Sequence, residues 1–106
     1  MARALIKVPA TAKRGEIIEI KTLISHPMET GYRTGTNGTT IPRNIIQTFT
    51  CIYNGDEVFR AELSPAIAAN PFVSFFTVAT ESGTIAFEWR GDNGFAASET
   101  AAITVE

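Results

Sequence analysis

A period-two alternation of apolar and polar residues, broken every few residues by turn-forming residues, constrains the fold of this chain most. Side chains of a β-strand point alternately to two faces, so the pattern predicts strands rather than helices. The segments are short, and Gly, Pro and Asn separate them, as is typical of all-β sandwiches. We predict seven strands, at residues 4–8, 16–25, 45–53, 58–63, 72–79, 84–90 and 96–105.

Local sequence patterns predict which side chains of these strands face the core and which turns connect the strands. The face of the second strand predicted to enter the core carries Ile18, Ile20, Thr22 and Ile24. Asn54-Gly55 predicts a two-residue hairpin turn, because both residues tolerate positive φ. Residues 65–69 could form a single helical turn, which Pro71 would end.

The third strand, at residues 45–53, is partly apolar on both faces, which predicts a central position in its sheet. One of its faces would carry Ile45, Gln47, Phe49, Cys51 and Tyr53. Seven short strands in 106 residues, without repeats or linkers, predict one domain spanning 1–106. Its expected architecture is an immunoglobulin-like antiparallel β-sandwich.

Composition excludes several functional classes. There is no dense Arg/Lys stripe, so nucleic-acid binding is not expected. The longest apolar runs are far shorter than the roughly 18 residues of a membrane span, and Lys7 interrupts the first apolar stretch too early for a signal peptide. Charge is uneven: residues 1–43 carry seven Lys/Arg and three Asp/Glu, whereas residues 44–106 carry two and eight. This asymmetry is weak support for an electrostatically steered partner.

The inventory of reactive side chains is short. His26 is the only histidine and Cys51 the only cysteine, which excludes an internal disulfide and a zinc site with several thiolates. A type 1 copper site needs two histidines besides Cys and Met, and superoxide-reducing iron sites need several. Cys51 lies in mid-strand, where we predict a buried, inert thiol. We therefore predict no catalytic residue, no cofactor and no metal.

The connection between the second and third strands is the best candidate for a functional segment. It is long, and long loops in compact domains are usually functional or mobile. Asn37-Gly38 could close a small hairpin within it. Its first part mixes side chains that interfaces favour, and the residues predicted to contact a partner are His26, Met28, Glu29, Tyr32 and Arg33. The alternative is a structured turn whose His26 caps a strand end. For a contact role, alanine at Met28, Tyr32 or Arg33 should weaken binding with little loss of stability.

Several segments also resemble a known family. They are Lys-Arg-Gly-Glu at 13–16, His-Pro-Met-Glu-Thr-Gly-Tyr-Arg at 26–33, Ile-Pro-Arg at 41–43, Phe-Thr-Cys at 49–51, Tyr-Asn-Gly at 53–55, Asn-Pro-Phe at 70–72 and Glu-Thr-Ala-Ala-Ile-Thr-Val at 99–105. Occurring in this order along nearly the whole chain, they closely resemble the SoxZ family of sulfur-oxidation proteins.

The resemblance implies a non-catalytic subunit that pairs with SoxY, whose C-terminal arm carries sulfur intermediates on a cysteine during thiosulfate oxidation. This chain ends at Val105-Glu106 without such an arm, so we expect it to be the partner and Cys51 not to be the carrier thiol. Other Sox enzymes would be transient partners. The resemblance also implies a periplasmic location, reached by export together with SoxY. Two alternatives stay open, namely a small metal-binding or electron-transfer sandwich and a homo-oligomeric adhesion-like sandwich.

Overall fold

A computed structural model describes residues 3–106, which form two β-sheets. The strands are β1 (Ala4–Lys7), β2 (Thr11–Ala12), β3 (Ile17–Ile24), β4 (Ile46–Tyr53), β5 (Asp56–Glu62), β6 (Phe72–Val78), β7 (Gly83–Gly91) and β8 (Ala96–Val105). Seven of them lie within two residues of the predicted strands, and the two-residue β2, which runs parallel to the end of β8, is additional. The predicted all-β sandwich is confirmed.

The larger sheet has five strands in the order β2-β8-β7-β4-β5. Asn54 and Gly55 join β4 to β5 with φ angles of 48° and 88°, so the predicted two-residue turn is confirmed. Both residues have the positive φ that type I′ turns require, and the twist of such turns matches that of the flanking strands. As predicted, β4 lies inside its sheet, between β7 and β5.

The smaller sheet has three strands in the order β1-β3-β6 and is antiparallel throughout. The alternation along β3 directs its predicted core face inward, and all four residues of that face are buried: Ile18, Ile20, Thr22 and Ile24. Because β3 occupies the centre, β1 and β6 are both edge strands.

Aromatic side chains fill the core between the sheets. In the larger sheet, Phe49 and Trp89 are fully buried with ring centroids 5.2 Å apart. Phe75 of β6 stacks on Phe59 of β5 at 4.2 Å, which joins the two sheets directly. Such aromatic pairs add about 0.5–1.5 kcal/mol each beyond the area they bury.

The predicted face of the third strand is wrong at its start. Ile45 and Ile46 are both buried, and Gln47 is exposed. The cause is a shift in the register with β7 between Ile46 and Thr48, since an extra residue in one strand reverses the faces that precede it.

The helical turn considered for residues 65–69 is also wrong. This segment holds one hydrogen-bonded turn, in which the Ile67 N–H donates to the Ser64 carbonyl at 3.0 Å. The Ser64 hydroxyl accepts from the Ala66 N–H at 3.3 Å, a local bond by which serine favours turns over helices.

Candidate functional site

Residues 25–45, here called the long loop, connect β3 to β4 and contain all five residues predicted to contact a partner. The loop folds back on itself through two isolated bridges, Glu29 with Asn44 and Thr34 with Thr40. Within the second bridge, the Gly35 N–H donates to the Thr39 carbonyl at 2.8 Å. The loop is therefore an irregular hairpin, consistent with the turn predicted at Asn37-Gly38.

His26 lies at the inner end of the long loop, with 4% of its surface exposed. The backbone N–H of His26 donates to Asn70 Oδ1 at 2.9 Å, and its ring nitrogen Nδ1 accepts from the backbone N–H of Met28 at 3.0 Å. The ring packs edge-on against Phe95, with centroids 4.7 Å apart. Burial lowers the pKa of His26, although nearby Asp92 opposes that shift. A neutral imidazole that accepts from the backbone is thus a structural part of the loop.

Met28 is the second inward residue of the long loop. Its φ is 50°, which is uncommon for a residue with a side chain, and 5% of its surface is exposed. The thioether Sδ accepts a hydrogen bond from the Ile46 N–H at 3.2 Å. Met28 therefore fastens the loop to the first residue of β4.

Asp92, in the turn between β7 and β8, anchors the inner end of the long loop from its C-terminal side. Its carboxylate accepts two bonds of 2.9 Å from the Arg43 guanidinium and one of 3.1 Å from the Ile45 N–H. The bonds from Arg43, then the one from Ile45, lower the pKa of Asp92. A bidentate pair of this kind fixes orientation as well as charge.

The outward part of the long loop carries the other three predicted residues. Arg33 bonds the Glu29 carboxylate at 2.5 Å and 3.2 Å, and these bonds lower the pKa of Glu29. Tyr32 is 86% exposed, more than any other large hydrophobic residue described. Partner contact through Glu29, Tyr32 and Arg33 stays a prediction.

For His26 and Met28 the prediction needs correction, because both side chains are buried and hold the loop in place. Because Met28 is buried, the expectation that alanine at this position leaves stability nearly unchanged is corrected as well. The alternative, in which His26 belongs to a structured turn at a strand end, agrees with the hydrogen bonds described above.

Cys51 is fully buried in β4, and this burial raises the pKa of its thiol to about 12. The predicted buried thiol is therefore confirmed. Only the thiolate is a good nucleophile or metal ligand. Within residues 3–106, no three His, Cys, Asp or Glu side chains lie close enough together to hold a metal ion. No helix in this part of the chain is long and apolar enough to cross a membrane.

A second surface, which the sequence analysis did not single out, covers the smaller sheet on the side away from the core. We call it the outer face of the small sheet. Its residues are Leu5, Lys7, Ile17, Glu19, Lys21, Leu23, Phe72, Ser74, Phe76 and Val78. Phe76 is 67% exposed and Ile17 69%. The signal was available in the sequence, because Phe72–Val78 is apolar on both faces.

The fold and these surfaces are those of a small immunoglobulin-like β-sandwich protein. The sequence matches the family described as "Sulphur oxidation protein SoxZ" over residues 6–102. The chain therefore belongs to the SoxZ family, as the sequence segments predicted. Comparison with curated proteins finds no match.

Solved structures share the fold at low sequence identity. The sulfur carrier protein SoxY from Chlorobium limicola superposes with a TM-score of 0.67 at 13% identity, covering 97% of this chain and 78% of that one. The superoxide reductase neelaredoxin from Ignicoccus hospitalis gives 0.76 at 17% identity, with 97% and 80% covered. A CARDB domain from Pyrococcus furiosus, solved with di-metal ions, gives 0.54 at 13% identity, with 100% and 94% covered. At these identities the likeness concerns the fold alone.

Proposed function

We propose that this chain is the non-catalytic subunit of a SoxYZ-type sulfur-carrier complex in thiosulfate oxidation, bound to a SoxY-type subunit. The observation that carries the proposal is the family match over residues 6–102. Burial and the high pKa of the Cys51 thiol support it, because a carrier cysteine must be accessible to form a bond with sulfur.

In this proposal the two ends of the long loop have different roles. Its inner end, held by His26, Met28 and Arg43, fixes the position of the loop on the sandwich. Its outer end offers Tyr32 beside the Glu29–Arg33 ion pair to enzymes that act on the carrier arm. Tyrosine and arginine are, with tryptophan, the residues most enriched among the anchors of interfaces. The complex would work in the periplasm, after export together with the SoxY-type subunit.

Co-expression with a tagged SoxY-type protein tests the proposal. The chain should co-purify at a ratio near one to one, and the complex should support thiosulfate-dependent turnover by the partner enzymes. Absence of a complex would overturn the proposal, as would a stoichiometric transition metal in the purified chain.

Tyr32→Ala tests the role of the loop within that complex. We expect turnover to fall about tenfold, as for the loss of an interface anchor, while binding to the SoxY-type subunit is unchanged. Ile67→Ala is the control, because Ile67 is also an exposed apolar residue, 38% accessible, on a different loop. Equal turnover in the two variants would remove the long loop from enzyme recognition.

A further inference from the structure

We infer that the outer face of the small sheet, together with the free edge of β6, is the docking site for the carrier subunit. This inference rests on the proposed function, because it names the surface through which the SoxY-type subunit would bind. The subunit that occupies this surface would present apolar side chains around at least one acidic group.

The first argument is the arrangement of apolar residues on this face. Strand pairing sets them in rows, and at one end Leu5, Leu23 and Phe72 lie side by side across the three strands. At the other end Ile17 lies beside Val78. Phe72, Phe76 and Val78 are 60%, 67% and 45% exposed, respectively. Clustered exposure of this kind marks interaction sites, whereas single exposed residues need no explanation.

A shallow groove lies at the Leu5–Leu23 end of the face. Its volume is about 330 Å³, and its lining includes Arg3, Leu5 and Leu23. A second groove of about 230 Å³ lies on the other side of the same leucine pair and reaches Phe72. Grooves of this size accept large partner side chains, which typically provide most of the energy of an interface.

Charge indicates what the occupant must carry. Lys7 and Lys21 are direct cross-strand partners in the row next to the leucines, and exposed Arg3 lines the adjoining groove. Glu19 is the one acidic residue on this face, and it lies 3.7 Å from Lys21. The face is thus cationic, although the whole chain has a net charge of −2. A second copy would bring positive charge against positive charge, whereas a partner with acidic groups would neutralise it.

The free edge of β6 extends the same surface. Edge strands usually carry charged residues that prevent pairing with other chains. The edge strand β5 follows this rule with Asp56, Glu57, Arg60 and Glu62, but β6 has no charged residue from Phe72 to Val78. An uncharged, partly apolar edge is expected where another subunit covers it.

The accessible area of this surface fits a stable complex. Strands of seven residues are about 23 Å long and three strands are about 14 Å wide, so the flat outline of the face is roughly 300 Å². Its protruding side chains expose more accessible surface than this outline, since Ile17, Phe72 and Phe76 are each at least 60% exposed. A stable complex buries roughly 800 Å² on each partner, and a partner that covers the face and continues onto the uncharged β6 edge would bury an area of that order.

A matched pair of valine variants tests the inference. Val78→Glu places a carboxylate on the proposed site, and Val58→Glu makes the same change on the edge strand β5 of the other sheet. The two valines are similarly exposed, at 45% and 38%, so neither variant should lose its fold. We expect Val78→Glu to weaken binding to the SoxY-type subunit at least about 30-fold and Val58→Glu to leave it unchanged. Phe76→Glu should reproduce the loss.

Charge reversal provides a second test. Lys21→Glu should slow association several-fold and reduce its dependence on salt. Arg60→Glu on β5 is the control, because both cations are about half exposed and each lies near a glutamate. Association at the wild-type rate in Lys21→Glu would remove the charge argument.

The outcomes separate the inference from the proposed function. If the wild-type chain binds the SoxY-type subunit and Val78→Glu and Phe76→Glu bind equally well, the inference is overturned and the function stands. If Val78→Glu abolishes self-association but not SoxY binding, the face belongs to a second copy and the inference is again overturned. If the wild-type chain does not bind at all, the proposed function fails.

Discussion

His26 and Met28 show how a segment rich in interface-type side chains can serve the fold. Loops usually run over the surface, so a prediction from sequence expects both residues to be exposed to solvent. In the structure each accepts a backbone N–H and is buried, His26 at Nδ1 and Met28 at Sδ. His26 contacts Asn70 and Phe95, and Met28 contacts the Ile46 N–H, and all three partners are distant in sequence. Local composition therefore could not reveal this burial.

Met28→Ala should lower the free energy of unfolding by about 2–5 kcal/mol. It removes a buried side chain, whose truncation costs this much in other cores, and it leaves the Ile46 N–H without its sulfur acceptor. Urea denaturation followed by tryptophan fluorescence measures the loss, since Trp89 is fully buried.

Tyr32→Ala is the control for that experiment. Tyr32 is 86% exposed, and truncation at such a position changes stability by about 0.5 kcal/mol or less. Unfolding of both variants at the same urea concentration would show that Met28 does not hold the loop.

Among the strands, local pattern predicted most of the architecture. The alternation in β3 predicted its buried face correctly, because all four inward residues are β-branched and two of the four outward residues are charged. The Asn54-Gly55 turn was predictable from the φ angles that its residues tolerate. The two-residue β2 was missed, because its pairing with β8 depends on contacts distant in sequence.

The bulge at the start of β4 escaped prediction for a different reason. Ile45 and Ile46 are both apolar, so period-two alternation cannot show which of them shifts the register. Gly91 makes the irregularity sterically possible, because a Cβ there would lie 2.3 Å from the Ile45 carbonyl oxygen. A Cβ at Gly91 would collide with backbone atoms, which cannot move aside as a flexible side chain would.

Gly91→Ala should therefore destabilise the sandwich by about 1–3 kcal/mol, as overpacking does. Gly35→Ala is the matched control, because a Cβ at Gly35 would meet its nearest atoms at an ordinary 3.5 Å. Thermal unfolding of both variants measures the difference. A Gly91→Ala variant as stable as the control would contradict the close approach at the bulge.

For the molecule as a whole, the sequence revealed an uneven charge but not its position in space. Strands from both halves of the chain interleave in a sandwich, so a basic first part could have been spread over both sheets. Instead, β1 and β3 bring Lys7 and Lys21 together on one outer face. The apolar outer residues of β6 complete that face. Neither arrangement follows from composition, because each depends on strand order within the sheet.

The most direct test of partner docking is hydrogen–deuterium exchange of the chain with and without a SoxY-type subunit at saturating concentration. We predict slower exchange of backbone amides in Phe72–Val78 on complex formation, because the partner covers the β6 edge, and unchanged exchange in Asp56–Glu62 of the opposite sheet. Slower exchange confined to Asp56–Glu62, or unchanged exchange in both strands, would contradict this account.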